Sequence, residues 1–489
     1  MTRFAERCGV HDAPRAAACE AAVQRLHAWG LERVRIGWCD LHGVQRGKTL
    51  MPAAAAEALH DGVGMVSTIL LKDTSDRTAY KVFEPGALDE LPGFGLANNL
   101  MLLPDPDSLR VLPWASGTGW MRAQAWFTDG TPVDVDPRRL LQGALAKLAS
   151  AGFGLRCGLE VEFHIHRIVD AGLDPSLADW PGEPPRVEMI HPGYNLLAEG
   201  WADLADVPLR IVQATAQGLG LPLRSIEVEL GPSQVEAVFD VTDALSAADH
   251  MVLFRNGVRQ ALWRAGYHAS FVCLPPFPNV MASGWHLHQS LTHLADGRNA
   301  FMRDAAAPGT TPADATHTLS DIGTHWLGVL LAHARGAAVF GTSTVNGFGR
   351  FKPNAMAPQS VLWGRDNRGA MLRVLGGAGD SATRIENRVG EPMANPYLYI
   401  ASQIHCGLSG LQHQREPGSA TDSPYGAGER LPTGLDEALR ALADDAVLCG
   451  AFGAPLVTLL TRVKRSELER HHVALDQDAW LRREYFSRF

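Results

Sequence analysis

The residues able to do chemistry in this chain are gathered in four short stretches whose polar side chains recur at every second position. In LEVEFHIH, Glu160, Glu162, His164 and His166 alternate with Leu159, Val161, Phe163 and Ile165. In IEVELGPSQVE, Glu227 and Glu229 alternate with Ile226 and Val228, and Glu236 follows a Gly-Pro turn. In WHLHQSL, His286, His288 and Ser290 share one set of alternate positions; in TRIENR, Arg384, Glu386 and Arg388 do the same. Two is the strand period, so each set lies on one face of a sheet, neighbours on that face standing about 7 Å apart. One polar face is what an antiparallel sheet commonly turns to water. Four of them, rich in Glu, His and Arg and poor in Lys and Thr, need another explanation, because clustered carboxylates repel unless a cation neutralises them. Five carboxylates with one imidazole form a hard, oxygen-dominated ligand set. It suits Mg²⁺ or Mn²⁺ better than zinc, and two ions rather than one.

Arginines supply the second half of the chemistry. GRFKPNAMAPQSVLWGRDNRGAMLRV carries Arg350, Arg365, Arg368 and Arg373, and TRIENR adds Arg384 and Arg388. Their planar forks bind carboxylates and phosphates bidentately. Divalent metals beside many arginines are what phosphoryl transfer requires, since its catalysis is mostly positioning and charge neutralisation. The residues by themselves therefore point to two-metal, nucleotide-dependent phosphoryl transfer with an anionic co-substrate. Two partial motifs are set aside. Gly43-Val-Gln-Arg-Gly47-Lys48-Thr49 has one residue too few between its glycines for a P-loop, and Gly377-Ala-Gly379 leaves no room for the helix of a dinucleotide fold.

The elements that must position these residues can be read from pattern. Residues 14–30 have the spacing of an amphipathic helix stopped by Gly30, and RVRIGWCDLHGVQRGKTL predicts strand, turn and strand. NLMLLPDPDSLRVLPW and GWMRAQAWFTDG predict further strands of the same small module. Asp136-Pro137 opens a helix. The expected division is 1–132 for an N-terminal α+β module and 133–489 for one large catalytic domain of antiparallel strands and helices. From about Leu435 the chain is expected to be mainly helical, ending in Trp480, Tyr485, Phe486 and Phe489. Residues 413–434, rich in Gly, Pro and Ser, are expected to be a surface loop.

Bulk composition narrows the classes. With 489 residues, 46% hydrophobic and 20% charged, the chain has the make-up of a globular protein with a substantial core. Its net charge of −9 argues against a nucleic-acid partner. The charged N-terminus lacks the pattern of a secretory signal, and the apolar run at Trp326–Ala332 is too short for a membrane span. Cys8, Cys19, Cys39, Cys157, Cys273, Cys406 and Cys449 are scattered, which gives no zinc motif and predicts a reducing, cytoplasmic location.

At its polar strands the sequence resembles the glutamine synthetase family. The resemblance runs from about Arg33 to the C-terminus through WCDLHG, LLPDPDSLRVLPW, VDVDPR, GLEVEFH, EVELGPSQVE, SGWHLHQSL, NGFGRFKPNAMAP, DNRGAMLRV and TRIENRVGEPMANPYLYIA, in that order. It implies a β-grasp N-terminal domain, ATP and Mg²⁺ or Mn²⁺, L-glutamate as substrate, and a dodecamer of two hexameric rings with sites shared between subunits. By motif position it assigns Glu162, Glu229 and Glu236 to one metal, and Glu160, His286 and Glu386 to the other. His288, Ser290, Arg384 and Arg368 fall on the nucleotide side, Arg368 also steadying the transferred phosphate. Arg350, Arg373 and Arg388 grip the glutamate carboxylates and the phosphoryl group. Asp40, contributed across the subunit interface, lines the amine site. His164 and His166 receive no role.

Two departures bear on the amine. The family's R-x-x-P-x-x-E-A-P reads RFKPNAMAP here, so Met356 stands where a glutamate binds and deprotonates ammonium. Met281-Ala282 replaces an Asn-Gly pair. A thioether carries no charge and takes no proton, so an aromatic or simple alkyl amine is expected in place of ammonium, with Asp40 receiving the proton. The expected activity is an ATP-dependent ligase forming a γ-glutamylamide through γ-glutamyl phosphate. Glutamine synthesis from ammonia and a non-catalytic family member are the alternatives.

Overall fold

The computed structural model describes residues 2–353, 355–426 and 428–489. Two sheets organise it. The first contains β1 (Arg33–Cys39), β2 (Gln45–Leu50), β3 (Val63–Val66), β4 (Asn99–Pro104), β5 (Arg110–Val111) and β6 (Thr118–Phe127). Their order is β2-β1-β6-β4-β3, with β5 also on β6. β1 and β6 are parallel and the other pairs antiparallel, the mixed pattern of the β-grasp module expected. Helix Ala13–Ala28 precedes it, its first turn closed by the Asp12 carboxylate accepting from Arg15 N at 2.8 Å. The helix ends at Ala28, and Gly30 turns the chain with φ +58°, the left-handed region that glycine enters without penalty.

The second sheet contains β7 (Phe153–Asp170), β8 (Arg186–Met189), β9 (Leu223–Val228), β10 (Gln234–Phe239), β11 (Thr242–Asp243), β12 (Tyr267–Ser270), β13 (Trp285–His293), β14 (Trp363–Arg365), β15 (Leu372–Leu375) and β16 (Arg384–Asn387). Its path is β14-β15-β16-β13-β7-β10-β9, with β8, β11 and β12 also pairing with β7. Among the described residues, β14 and β15 are the one parallel pair of this sheet. Register brings the polar faces into line: Glu162 lies opposite Glu236, and Glu236 opposite Glu227. Likewise His286 lies opposite Glu160, and Glu386 opposite both His288 and Arg373. A slip of one residue in any of these strands would turn its chemistry to the other face.

What fixes the register is the back of the sheet. Phe163 is fully buried, stacked on Phe271 at 4.8 Å and edge-on to Phe254 of helix Ala244–Arg264 at 5.7 Å. Leu159, Val161 and Ile165 are buried beside it. Helix Pro396–His413, capped by Asn395, is buried along most of its length. Among the described residues no single helix is long and apolar enough to cross a membrane.

The C-terminal aromatics close the far end of β7. Tyr485 and Phe486 are fully buried, and the rings of Phe486 and Phe277 lie 5.6 Å from His166. His164 and His166, on the same face as the glutamates, are therefore interior rather than open to the site. Residues described within 414–434 form an ordered strap over β14: Thr421 N donates to Trp363 O at 2.9 Å and Trp363 Nε1 to Gly418 O at 3.1 Å.

Candidate active site

Glu160 is the hub of the polar face. Its Oε1 bonds His286 Nδ1 at 2.8 Å and its Oε2 bonds His288 Nε2 at 3.1 Å. Arg384 Nε donates to His288 Nδ1 at 3.1 Å. A guanidinium N–H is always a donor, so His288 accepts at Nδ1 and carries its proton on Nε2. Arg384, His288 and Glu160 thus form one directed chain. It borders a cavity of about 510 Å³ whose walls include Arg156, Gly158, Ser290 and Asn299. Of the four residues expected on the nucleotide side, Ser290, His288 and Arg384 line this cavity and Arg368 does not.

Glu162 accepts from Gly284 N at 2.7 Å and from Gln234 Nε2 at 3.2 Å, both at Oε2. Gly284 must be glycine for this: a Cβ there would stand 2.6 Å from the Arg350 guanidinium and 3.0 Å from His286 Nε2. Glu229 caps its own turn through Leu230 N at 2.9 Å. Glu386, fully buried, is bracketed by Arg373 at 3.0 Å and by Arg388. Arg373 also bonds Asp366, and Arg388 donates to the Met356 carbonyl at 3.2 Å. Met356 sits at φ +49° with its side chain about half exposed. Arg350 is buried and spends its donors on the carbonyls of Arg388, Val389 and Gly390. Arg368 is exposed in the turn after β14.

Asp40 stands outside this set of contacts. Its carboxylate accepts from His42 N, Val44 N and Arg46 Nε, all within 2.9 Å, closing the turn between β1 and β2. No bond joins it to the chain's own carboxylate cluster among the described residues.

The electrostatics are those of crowded, buried carboxylates. Burial and the neighbouring charge of Glu229 push Glu162 up to about 7. Burial and four surrounding glutamates push Glu236 well above the carboxylate range. Burial likewise raises Glu229. Glu160 is also penalised by burial, but its bonds to His286 and His288 win and hold it low. Burial and the Arg388 charge lower His286 to about 4, so its ring is neutral at pH 7. Donating Nδ1–H to Glu160 leaves its Nε2 lone pair free for a metal.

Donor atoms of Glu160, Glu236 and His286 lie within 4.8 Å of one another, as do those of Glu160, His288 and Glu386. The oxygen-rich donor set fits a hard divalent ion. These two distance groups divide the donors differently from the partition implied by resemblance: His288 joins one, and Glu162 and Glu229 join neither. Glu227 is a further carboxylate beside Glu236, and its buried Oε2 has no partner among the described residues.

The sequence reading passed over Gln234, Gly284 and Asp366. Gln234 carried a signal, since it alternates onto the same face as Glu236. The Gly284 contact is a backbone one and carried none.

Carboxylates and imidazoles on one sheet face, fenced by arginines and beside a cavity of about 510 Å³, form the kind of site that suits phosphoryl transfer. A family profile described as glutamine synthetase, catalytic domain, matches residues 134–483. Gamma-glutamylanilide synthase from Acinetobacter sp is 37% identical over 96% of both chains. Gamma-glutamylethanolamide synthetase GlnA4 from Streptomyces coelicolor is 28% identical over 95% of this chain and 96% of its own. A solved structure described as a GmaS/ADP complex superposes with TM-score 0.73 at 27% identity, covering 94% of this chain and 98% of that one. The chain belongs to the glutamine synthetase family, and it is an ATP-dependent glutamate–amine ligase of that family.

Proposed function

We propose that the amine joined to glutamate is an organic one, aromatic or simple alkyl, and that ammonium is a poor substrate. The observation carrying this is Met356. Its carbonyl accepts from Arg388, which also pairs with Glu386, so the backbone that carries the thioether adjoins the charged cluster, and the family's motif carries a carboxylate at this position. A thioether cannot hold an ammonium ion or take its proton. An aromatic amine is uncharged at neutral pH and needs neither service before it attacks. The name of the 37% identical relative, an anilide synthase, supports the same choice.

In the proposed reaction a γ-carboxylate oxygen of glutamate attacks the γ-phosphorus of ATP, the bond to the β-phosphate oxygen breaks, and ADP leaves. Glu160, Glu162, Glu229, Glu236, His286 and Glu386 would hold two ions, Mg²⁺ or Mn²⁺, which supply charge neutralisation on the phosphate side. His288, Ser290 and Arg384 orient the nucleotide. Arg373 and Arg388, already paired with Glu386, would hold the glutamate carboxylates with their remaining donors, Arg350 would do so only with those not given to the carbonyls of residues 388–390, and Arg368 would steady the moving phosphoryl group. The amine nitrogen then attacks the acyl carbon, phosphate departs with its bridging oxygen, and the nitrogen sheds one proton. Asp40 of an adjoining subunit, in a dodecamer of two hexameric rings, is the proposed acceptor.

ADP release with glutamate and Mg²⁺, measured across ammonium, ethylamine, putrescine and aniline, tests the reading. Turnover is expected with aniline or ethylamine and little with ammonium. Turnover with ammonium alone would overturn it, as would silence with every amine.

A further inference from the structure

Gln234 is the least conspicuous polar residue of the site and the most connected. It is 2% exposed and opens β10 on the face that carries Glu236. Its Oε1 accepts from Gly231 N at 2.9 Å. Its backbone carbonyl accepts from Glu229 N at 2.9 Å, and His191 Nε2 lies 3.1 Å from the same oxygen. Its Nε2 lies within reach of three acceptors: Glu162 Oε2 at 3.2 Å, Ala282 O at 3.2 Å and Ser283 Oγ at 3.1 Å. A primary amide has two N–H groups for these three oxygens. One side chain therefore ties together the Glu229 turn, the Glu162 carboxylate and the 281–284 segment.

The consequence lies in how the two oxygens of Glu162 are used. Oε2 is taken twice, by Gln234 Nε2 and by Gly284 N. Among the described residues Oε1 receives no hydrogen bond, and His286 Nε2 lies 3.9 Å away. A carboxylate held in this way offers one oxygen, in one direction. We propose that Gln234 is a positioning residue that makes Glu162 a one-oxygen metal ligand and yokes it to the 281–284 segment, which carries the unusual Met281-Ala282 pair. The inference rests on the reading of Glu162 as a metal ligand. Outer partners of this kind orient ligands and typically contribute ten- to a hundredfold in metal affinity. It also predicts coupling: whatever moves 281–284 alters the aim of Glu162.

The test uses the full-length protein and Mn²⁺ as probe, with binding followed by electron paramagnetic resonance of the free ion and by the rise in Tm on adding Mn²⁺. Gln234→Met keeps the volume and removes both hydrogen-bonding ends. It is expected to weaken Mn²⁺ binding on the order of tenfold and to raise KM for glutamate more than it lowers kcat. Ser283→Ala removes one competing acceptor, leaves the amide free to commit to Glu162, and is expected to keep Mn²⁺ affinity at or above that of the parent. Equal Mn²⁺ affinity in the parent and Gln234→Met would overturn the inference while leaving the metal reading intact. No Mn²⁺ binding by the parent would instead sink the metal reading itself. Should Gln234→Met fail to fold, Ser283→Ala still decides, because a tenfold loss there would mean the segment acts through packing and not through the amide.

Discussion

Met356 exchanges a charge for a polarisable thioether at the point where Arg388 crosses from Glu386 to the chain carrying the methionine. Its left-handed backbone, uncommon for a residue with a Cβ, is held by that hydrogen bond, so a substitution changes the side chain while the anchor remains. Met356→Glu is expected to raise kcat/KM for ammonium relative to aniline by about tenfold, since a carboxylate favours a cation and disfavours an apolar ring. Steady-state kinetics with both amines read the ratio directly. An unchanged ratio would mean that residue 356 does not face the amine. Individual chemistry of this kind was legible before any fold, because residue identity alone excludes proton transfer by a thioether. What could not be read was how charges are spent. Arg350 and Arg373 look alike in sequence, yet one binds backbone carbonyls and the other a buried glutamate.

At the scale of elements, the alternation in β7 announced its glutamates, and register with β10 and β13 delivered them to one place. The same alternation put His164 and His166 on the chemical face, where they are sealed under Phe277 and Phe486. Period two fixes a face but says nothing about what covers it, and the cover comes from the far end of the chain. Loops were the least legible part for a related reason, since their partners are backbone groups. Asn299 illustrates this. Its Nδ2 donates to Ser381 O at 2.9 Å and Thr383 O at 2.7 Å, pinning the loop that leads into Arg384 and rims the cavity beside Glu160. Two hydrogen bonds, each contributing a net of about 1 kcal/mol, hold that rim. Asn299→Ala is expected to raise KM for ATP about five- to tenfold with little change in KM for glutamate. Equal movement of both constants would show that the loop serves the whole site and not the nucleotide side.

On the scale of the whole molecule, the two sheets are fastened by buried polar groups that the terminal segment brings with it. Arg470 bonds Glu484 at 2.6 Å and Asp73 at 2.9 Å, and Glu484 also binds Thr74 and Ser75. His268 Nε2 meets the Phe486 carbonyl at 2.7 Å. Burial leaves several histidines neutral. It lowers His166 to about 4, helped by His191; His268 to about 3, helped by Arg259; and His405 to about 4, helped by Lys147. A folded-state pKa below the unfolded value near 6.5 means that the unfolded chain binds the extra protons. Stability is then fully present above about pH 6.5 and is lost as pH falls towards 4, at up to about 1.4 kcal/mol per pH unit for each such histidine. Carboxylates with raised pKa act in the opposite direction. Glu162, Glu236 and Glu391, all raised by burial, stabilise the fold as pH falls through their folded values. The net slope of the parent therefore mixes signs, and a difference measurement isolates one histidine. His405 suits this purpose, packed edge-on against Phe452 at 4.8 Å and remote from the carboxylate cluster in its bonding. Denaturant unfolding of His405→Phe and the parent at pH 7.5, 6 and 5 is expected to give a stability difference that shifts in favour of the variant as pH falls, by more than about 1 kcal/mol between the extremes. A pH-independent difference would mean that His405 takes up its proton within the folded protein.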